Sequence, residues 1–297
     1  MASSDAQFLV ATFQTACTWY AQASKQNHVE ATYRAGVCYE LGLSTSVDTT
    51  KALVFYRKAA LLAHPAGMYR LGAILVNGYL QQPPQLREGV CWLQRAATMR
   101  DPMPHALHAL ATVLLSDTIC RQTSLVPDKT YALQLLHTAA RAGYEASQCR
   151  LGQYYEEEAP NAGSSLYWYC KAAEQGCPTA ALGLSGWYLT GAPGYLAQSD
   201  RESYLWARHA LRTPIEARDY YHGEGPVRAA VAQAYFVVGY YTELGIGTSD
   251  TESPEKWYRQ AAALGHCGAS EKLGSPSGEP TDQKSSIRSS ARYCSIM

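Results

Sequence analysis

Few residues of this chain stand in arrangements that could do chemistry. His105 and His108 are three apart, so on a helix they would share a face and offer two imidazoles to a metal ion. A zinc site needs further ligands, and no nearby Cys or acid completes the set. Packed or solvated histidines account for the pair. Glu156, Glu157 and Glu158 would attract a cation, yet a run of three acids reads as a solvated turn. Gly245-Ile246-Gly247 is similar to part of a nucleotide loop, but such a loop follows a strand and no strand is predicted there. No Ser/His/Asp or Cys/His arrangement carries a local signature. The sequence therefore assigns no catalytic residue, no metal ligand and no cofactor, and the chain is read as a non-enzyme.

One reactive group remains, Cys294. The stretch Cys294-Ser295-Ile296-Met297 fits the C-a-a-X rule for prenylation, and Met in the last place favours farnesyl. A single lipid chain gives only marginal membrane binding. Lys284, Arg288 and Arg292 lie close by, each worth about 1 kcal/mol against an anionic leaflet. Reversible, peripheral attachment is the expectation.

The totals bound what could position such groups. The 297 residues are 47% hydrophobic, enough to bury a core, and 17% charged, too structured a composition for a disordered chain. The 25 basic and 25 acidic residues balance, so no net field draws the chain to nucleic acid. There are 22 Tyr against 4 Phe, which suits many half-exposed surfaces and little deep core. The nine cysteines are odd in number and scattered without any Cys-x-x-Cys, so they are read as reduced, mostly buried thiols of a cytosolic protein. The N-terminus does not fit a signal peptide, and no apolar stretch reaches the roughly 18 residues of a membrane span.

Two short patterns alternate along the chain. In the first, a small residue is followed by Tyr and Gly, as in Ala35-Gly36-Val37-Cys38-Tyr39-Glu40-Leu41-Gly42 and Leu151-Gly152-Gln153-Tyr154-Tyr155. In the second, an aromatic or leucine pair precedes Ala-Ala, as in Phe55-Tyr56-x-x-Ala59-Ala60 and Trp168-Tyr169-x-x-Ala172-Ala173. Anchors of the first pattern fall at 36, 72, 111, 152, 185 and 239, with steps of 36, 39, 41, 33 and 54; the copy from His105 to Ala111 is degenerate. A period in the thirties to low forties predicts an all-α fold, a right-handed α-solenoid of about six helix–turn–helix repeats. Ala and Gly let paired helices approach closely while Trp and Tyr fill the gap to the next pair. Asp48, Asp128, Asp200 and Asp250 precede second helices and are expected to be their N-caps. Gly143, Gly176 and Gly265 follow the Ala-Ala elements and suit helix ends. The solenoid is placed at 1–273, with an inserted Pro- and Gly-marked loop at about 212–227, and 274–297 is read as a disordered tail.

The combined pattern resembles the Sel-like repeat, a relative of the tetratricopeptide repeat, over roughly residues 16 to 273. The stretches Ala181 to Gly191, Ser199 to Arg208 and Ala234 to Gly247 are similar to the fungal chitin synthase activators, a family that also ends in a prenylation box. That resemblance implies a non-catalytic scaffold that binds and activates or localises a membrane chitin synthase, its partner being the catalytic subunit. It implies a cytoplasmic protein held peripherally on the plasma membrane through Cys294, at the division site, and no nucleic-acid partner. The chain departs from the family in beginning almost directly at the solenoid and in carrying the extra loop. A generic assembly or quality-control adaptor with another client is the alternative. Trp187, Tyr188, Tyr240 and Tyr241 are candidates for the partner face, because aromatic residues dominate protein-binding hot spots; packing between repeats is the competing role.

Overall fold

The computed structural model describes residues 4–123, 125–212, 226–248 and 253–274. Most of the expected loop at 212–227, nearly all of the expected tail at 274–297 with Cys294, and Asp250 lie outside the described residues. Residues 1–144 and 145–297 form two compact units. In the first, helix α1 (Ser4–Lys25) lies against α2 (Val29–Leu41), which pairs with α3 (Thr49–Leu61). Helix α4 (Pro65–Asn77) pairs with α5 (Leu86–Ala97), and α6 (Pro104–Leu115) pairs with α8 (Lys129–Arg141). A short helix not anticipated from the sequence, α7 (Asp117–Thr123), interrupts the last of these pairs. In the second unit α9 (Glu145–Glu157) pairs with α10 (Ala162–Glu174), α11 (Pro178–Thr190) with α12 (Asp200–Ala210), and α13 (Pro226–Leu244) with α14 (Pro254–Ala263); α15 (Cys267–Gly274) follows. The described residues hold no β-strand, only an isolated bridge between Ala192 and Leu196.

Local chemistry sets these boundaries. The side chains of Asp48 and Asp128 accept the backbone N–H of Lys51 and Tyr131 at 2.9 and 2.8 Å, as expected of N-caps. Asp200 does not cap its helix. Ser199 does, accepting from Glu202 N at 3.3 Å, which moves Asp200 into the first turn where its charge suits the helix dipole. Asn161 does the same work for α10. Gly143, Gly176 and Gly265 sit at φ of 89°, 85° and 94°, the left-handed conformation that lets the chain leave a helix.

First helices are capped by a residue type the sequence did not single out. His28, His64 and His266 each accept, through Nδ1, the backbone N–H three residues on, from Ala31, Gly67 and Ala269. An imidazole can accept at Nδ1 only when that nitrogen is unprotonated.

The alanine pairs are the floor of the packing. Ala59, Ala60, Ala139, Ala140, Ala172 and Ala173 are all buried, because a methyl is the largest group that fits where second helices cross their partners. Rings of second helices lie on first-helix glycines. A Cβ on Gly152 would fall 2.5 Å from Cδ1 of Tyr169, and one on Gly36 would fall 2.8 Å from Cε1 of Tyr56. Both tyrosines are fully buried, and burying a ring of this size contributes roughly 1.5–3 kcal/mol. Five of the eight described cysteines are buried, and none of the eight is in a disulfide. Burial, with Cys17 beside it, pushes the Cys38 thiol up to about 11.

Candidate protein-binding site

A tyrosine buried on glycine must place its hydroxyl, and the repeat solves this the same way three times. Tyr56 donates to Glu40, Tyr169 to Glu156 at 2.7 Å and Tyr258 to Glu243. Each of these glutamates stands four residues after the glycine beneath the ring, at Gly36, Gly152 and Gly239. Arg70 and Lys272 complete two of the sites by pairing with Glu40 and Glu243. Burial, then the adjoining carboxylate, pushes the Tyr56 and Tyr169 hydroxyls far above the ordinary tyrosine range, so they stay donors. Glu156 is therefore no member of a solvated acidic turn: it is a buried-ring acceptor in the last turn of α9, and Glu158 pairs with Arg150 at 3.4 Å.

The other chemical candidates are absorbed by packing in the same manner. The rings of His105 and His108 lie 4.5 and 5.3 Å from that of Tyr144. Among the described residues no group of three His, Cys, Asp or Glu side chains could hold a metal ion. Gly245-Ile246-Gly247 forms the turn after α13, with Ile246 N donating to the Tyr241 carbonyl at 2.8 Å.

The pair α11–α12 departs from the pattern. Ser185 stands where α2, α4, α9 and α13 carry Gly36, Gly72, Gly152 and Gly239 and where α6 carries Ala111. Ser203 of α12 donates to the Ser185 carbonyl at 2.8 Å, as Ser165 of α10 donates to the Gly152 carbonyl at 2.9 Å. Counting on from these serines, Ala207 occupies the place of Tyr169. The space is taken by Tyr241 of α13, whose hydroxyl lies 3.2 Å from Ser185 Oγ and 3.1 Å from Ser203 Oγ. Tyr241 is thus only 5% exposed. Trp187 is 8% exposed, and its indole N–H donates to Ser165 Oγ at 3.1 Å. Of the four aromatic residues singled out from the sequence, these two are engaged in packing between pairs. Tyr188 and Tyr240 are half-buried, the latter with Lys272 Nζ 5.6 Å from its ring centre.

On the outer side of α12 lies an open groove of about 580 Å³, within the size range of small-ligand and side-chain pockets. Helix α12 buries one face, Ser203, Ala207 and Ala210, and turns Glu202, Leu205, Trp206 and His209 to the groove. Tyr235 of α13 and Trp257 of α14 form the opposite wall. Leu205 is 47% exposed, and Arg208 and Arg212 stand on the rim. The Arg208 guanidinium lies 5.8 and 5.9 Å from the ring centres of Tyr204 and Trp257. Sequence reasoning missed this surface. The only signal for it was Leu205 and Trp206 in a helix whose partner-facing side already had its alanines.

Comparison with known proteins agrees with this architecture. The family model described as "Sel1 repeat" matches residues 13–28, 29–64, 65–101, 104–144, 145–177 and 232–266. It leaves unmatched the stretch from 178 to 231, which holds α11, α12 and the groove face. The chain is 32% identical to "Chitin synthase regulatory factor 3" of Schizosaccharomyces pombe over 286 residues, 94% of this chain and 29% of that protein. It is 32% identical over 249 residues to "Chitin synthase regulator SKT5" of Saccharomyces cerevisiae, covering 81% of this chain and 33% of the relative. It therefore spans about a third of the length of these curated relatives. A crystal structure of a Sel1 repeat protein from Oxalobacter formigenes superposes with a TM-score of 0.68 at 22% identity, over 90% of this chain and 74% of that one, which shows the shared fold. With the family pattern matched over most of its length and the helix pairs built as that pattern requires, the chain belongs to the Sel1 repeat family.

Proposed function

We propose that this protein is a non-catalytic adaptor that binds a chitin synthase and activates or localises it. The observation that carries the reading is the 32% identity to chitin synthase regulatory factor 3 over 94% of this chain: the shared part is the repeat array itself. The site chemistry supports it. The acids, histidines and tyrosines that could do chemistry are engaged in capping and packing, whereas an aromatic groove faces outward. No described helix is long and apolar enough to cross a membrane. Attachment to the cytoplasmic face of the plasma membrane is assigned to a farnesyl group on Cys294, with Lys284, Arg288 and Arg292 as a second signal. Half-buried Tyr188 and Tyr240 belong to the partner surface, while Trp187 and Tyr241 support it from beneath.

The test is to co-purify tagged chain with the chitin synthase from its native cell, and to measure synthase activity in membranes from cells with and without the chain. Co-purification and a drop in activity on deletion are expected. Failure of both would sink the synthase reading and leave an adaptor for another client. For the tether, intact-mass measurement should find farnesyl on wild type and none on Cys294→Ser, with the variant moving to the soluble fraction. A tether raises the effective concentration of both partners at one surface, so the variant should still bind yet support less activity. An unmodified, wholly soluble wild type would remove the lipid from the proposal.

A further inference from the structure

Helices α1 and α15 are the two halves of one repeat. Helix α1 carries Trp19-Tyr20-x-x-Ala23-Ser24, with Ser24 four residues before the cap His28, just as Phe55-Tyr56-x-x-Ala59-Ala60 precedes the cap His64. It is a second helix, and no first helix precedes it among the described residues. Helix α15 carries Leu273-Gly274 seven and eight residues after the cap His266, as α4 carries Leu71-Gly72 after His64. It is a first helix, and no second helix follows it among the described residues. Each leaves open the face that a partner covers elsewhere. Ala59, Ala139, Ala172 and Ala261 are fully buried, whereas Ala23 in the same place is half-buried; Tyr56 and Tyr169 are fully buried, whereas Tyr20 is half-buried. Trp92 is 8% exposed and its counterpart Trp19 is 66% exposed. Leu71 and Leu151 are fully buried, and their counterpart Leu273 is 38% exposed.

We infer that these two faces bind each other between copies of the chain: α15 of one copy pairs with α1 of the next, and two half repeats make a whole one. The pair α4–α5 already shows the contact. Leu71 shares an apolar cluster with Trp92 and Ala96, and a Cβ on Gly72 would fall 2.8 Å from Leu93 Cγ. The corresponding places are Leu273 and Gly274 in α15, and Trp19, Tyr20 and Ala23 in α1. Leu273 of one copy therefore seats against Trp19 and Ala23 of the next, with Tyr20 in register with Gly274. A repeat array that ends on its own carries a terminal helix with a polar outer face; α1 and α15 present a tryptophan and a leucine instead. Because the two faces are unlike, the contact is head-to-tail, and it builds an open chain or a closed ring rather than a two-fold dimer. The inference goes beyond the adaptor reading and does not depend on which client the adaptor serves.

The experiment is sedimentation velocity on the full chain, produced without prenylation so that no lipid drives association, from the low- to the high-micromolar range. Wild type should grow beyond a dimer as concentration rises. Trp19→Glu spoils the α1 face and Leu273→Glu the α15 face, and each should weaken association roughly tenfold or more, since the contact would bury a lone carboxylate. Mixed in equal amounts, the two variants should form a dimer and stop there, because each keeps the face that the other lacks. Val126→Glu is the control: Val126 is exposed and lies on neither helix, so this variant should associate as wild type does. All three positions are exposed, so all three variants should keep the melting temperature of the wild-type monomer, which circular dichroism checks. A wild type that stays monomeric throughout would overturn the inference, and the open faces would then belong to helices of another protein. Association that neither Trp19→Glu nor Leu273→Glu weakens, an equal loss on Val126→Glu, or a mixture of the two face variants that stays monomeric would overturn it as well. No chitin synthase enters this experiment, so it can succeed where the synthase reading fails, and the reverse.

Discussion

The pairs α9–α10 and α11–α12 are neighbours in sequence and solve one problem in two ways. In α9–α10 the ring of Tyr169 lies on Gly152 and its hydroxyl reaches Glu156, so the pair fills its own interior. In α11–α12 the glycine is Ser185, the tyrosine is Ala207, and the ring comes from Tyr241 of the following pair. The regular pair is self-sufficient for this contact, its own two helices supplying glycine, ring and acceptor. The irregular pair takes this ring from its successor, and Leu205 and Trp206 of α12 line the groove.

The largest expected effect tests the self-sufficient pair. Gly152→Val would drive side-chain atoms into the Tyr169 ring, and overpacking of this kind costs about 1–3 kcal/mol or more. Urea denaturation should show a loss at the upper end of that range. A loss under about 0.5 kcal/mol would mean that ring and glycine do not need each other.

The two tyrosine hydroxyls sharpen the contrast. Tyr169→Phe removes the hydroxyl that donates to the Glu156 carboxylate, whereas Tyr241→Phe leaves Ser185 and Ser203 still within 3.3 Å of each other. Losing a hydrogen bond to a charged group costs about 1.5–3 kcal/mol, against about 1 kcal/mol for a neutral one. Tyr169→Phe should therefore be the more destabilising by roughly 1 kcal/mol. Equal losses would show that the serine-lined site is as demanding as the carboxylate.

The histidine caps add a pH dependence. Burial holds the His266 imidazole below its ordinary value, with the Phe236 ring stacked on it at 4.4 Å and Gln233 Oε1 2.7 Å from Nε2. The neutral form is thus favoured in the folded state. Its contribution is complete above about pH 6.5 and is lost as pH falls through the lowered folded value. His266→Asn keeps a cap acceptor that does not titrate. On acidification from pH 7.5 to 5 the variant should lose less melting temperature than wild type. Parallel curves would show that the cap is not what titrates.

The smallest effect is a control within the irregular pair. A Cβ at Gly186 meets nothing within 4 Å, so Gly186→Ala should stabilise α11 by roughly 0.5–1 kcal/mol through helix propensity alone. Destabilisation there would mean that α11 is packed more closely than its open side indicates.

Residue size and spacing were enough to read the helix pairs, their number and the alanine floor. Close approach needs small side chains at fixed intervals, and that demand is local and periodic. The second-helix caps Asp48 and Asp128 were legible for the same reason, since a cap reaches only three residues along its own chain. The caps His28, His64 and His266 were not, because histidine has no strong positional preference and its role depends on which nitrogen accepts. Nor could the sequence tell Trp187 and Tyr241 from Tyr188 and Tyr240, adjacent aromatic residues of like chemistry. Which ring turns inward depends on space left by a helix many residues away: Tyr241 is buried because Ala207 is small, 34 positions earlier. The groove was not legible either, because only the packed structure brings α12, α13 and α14 to its walls.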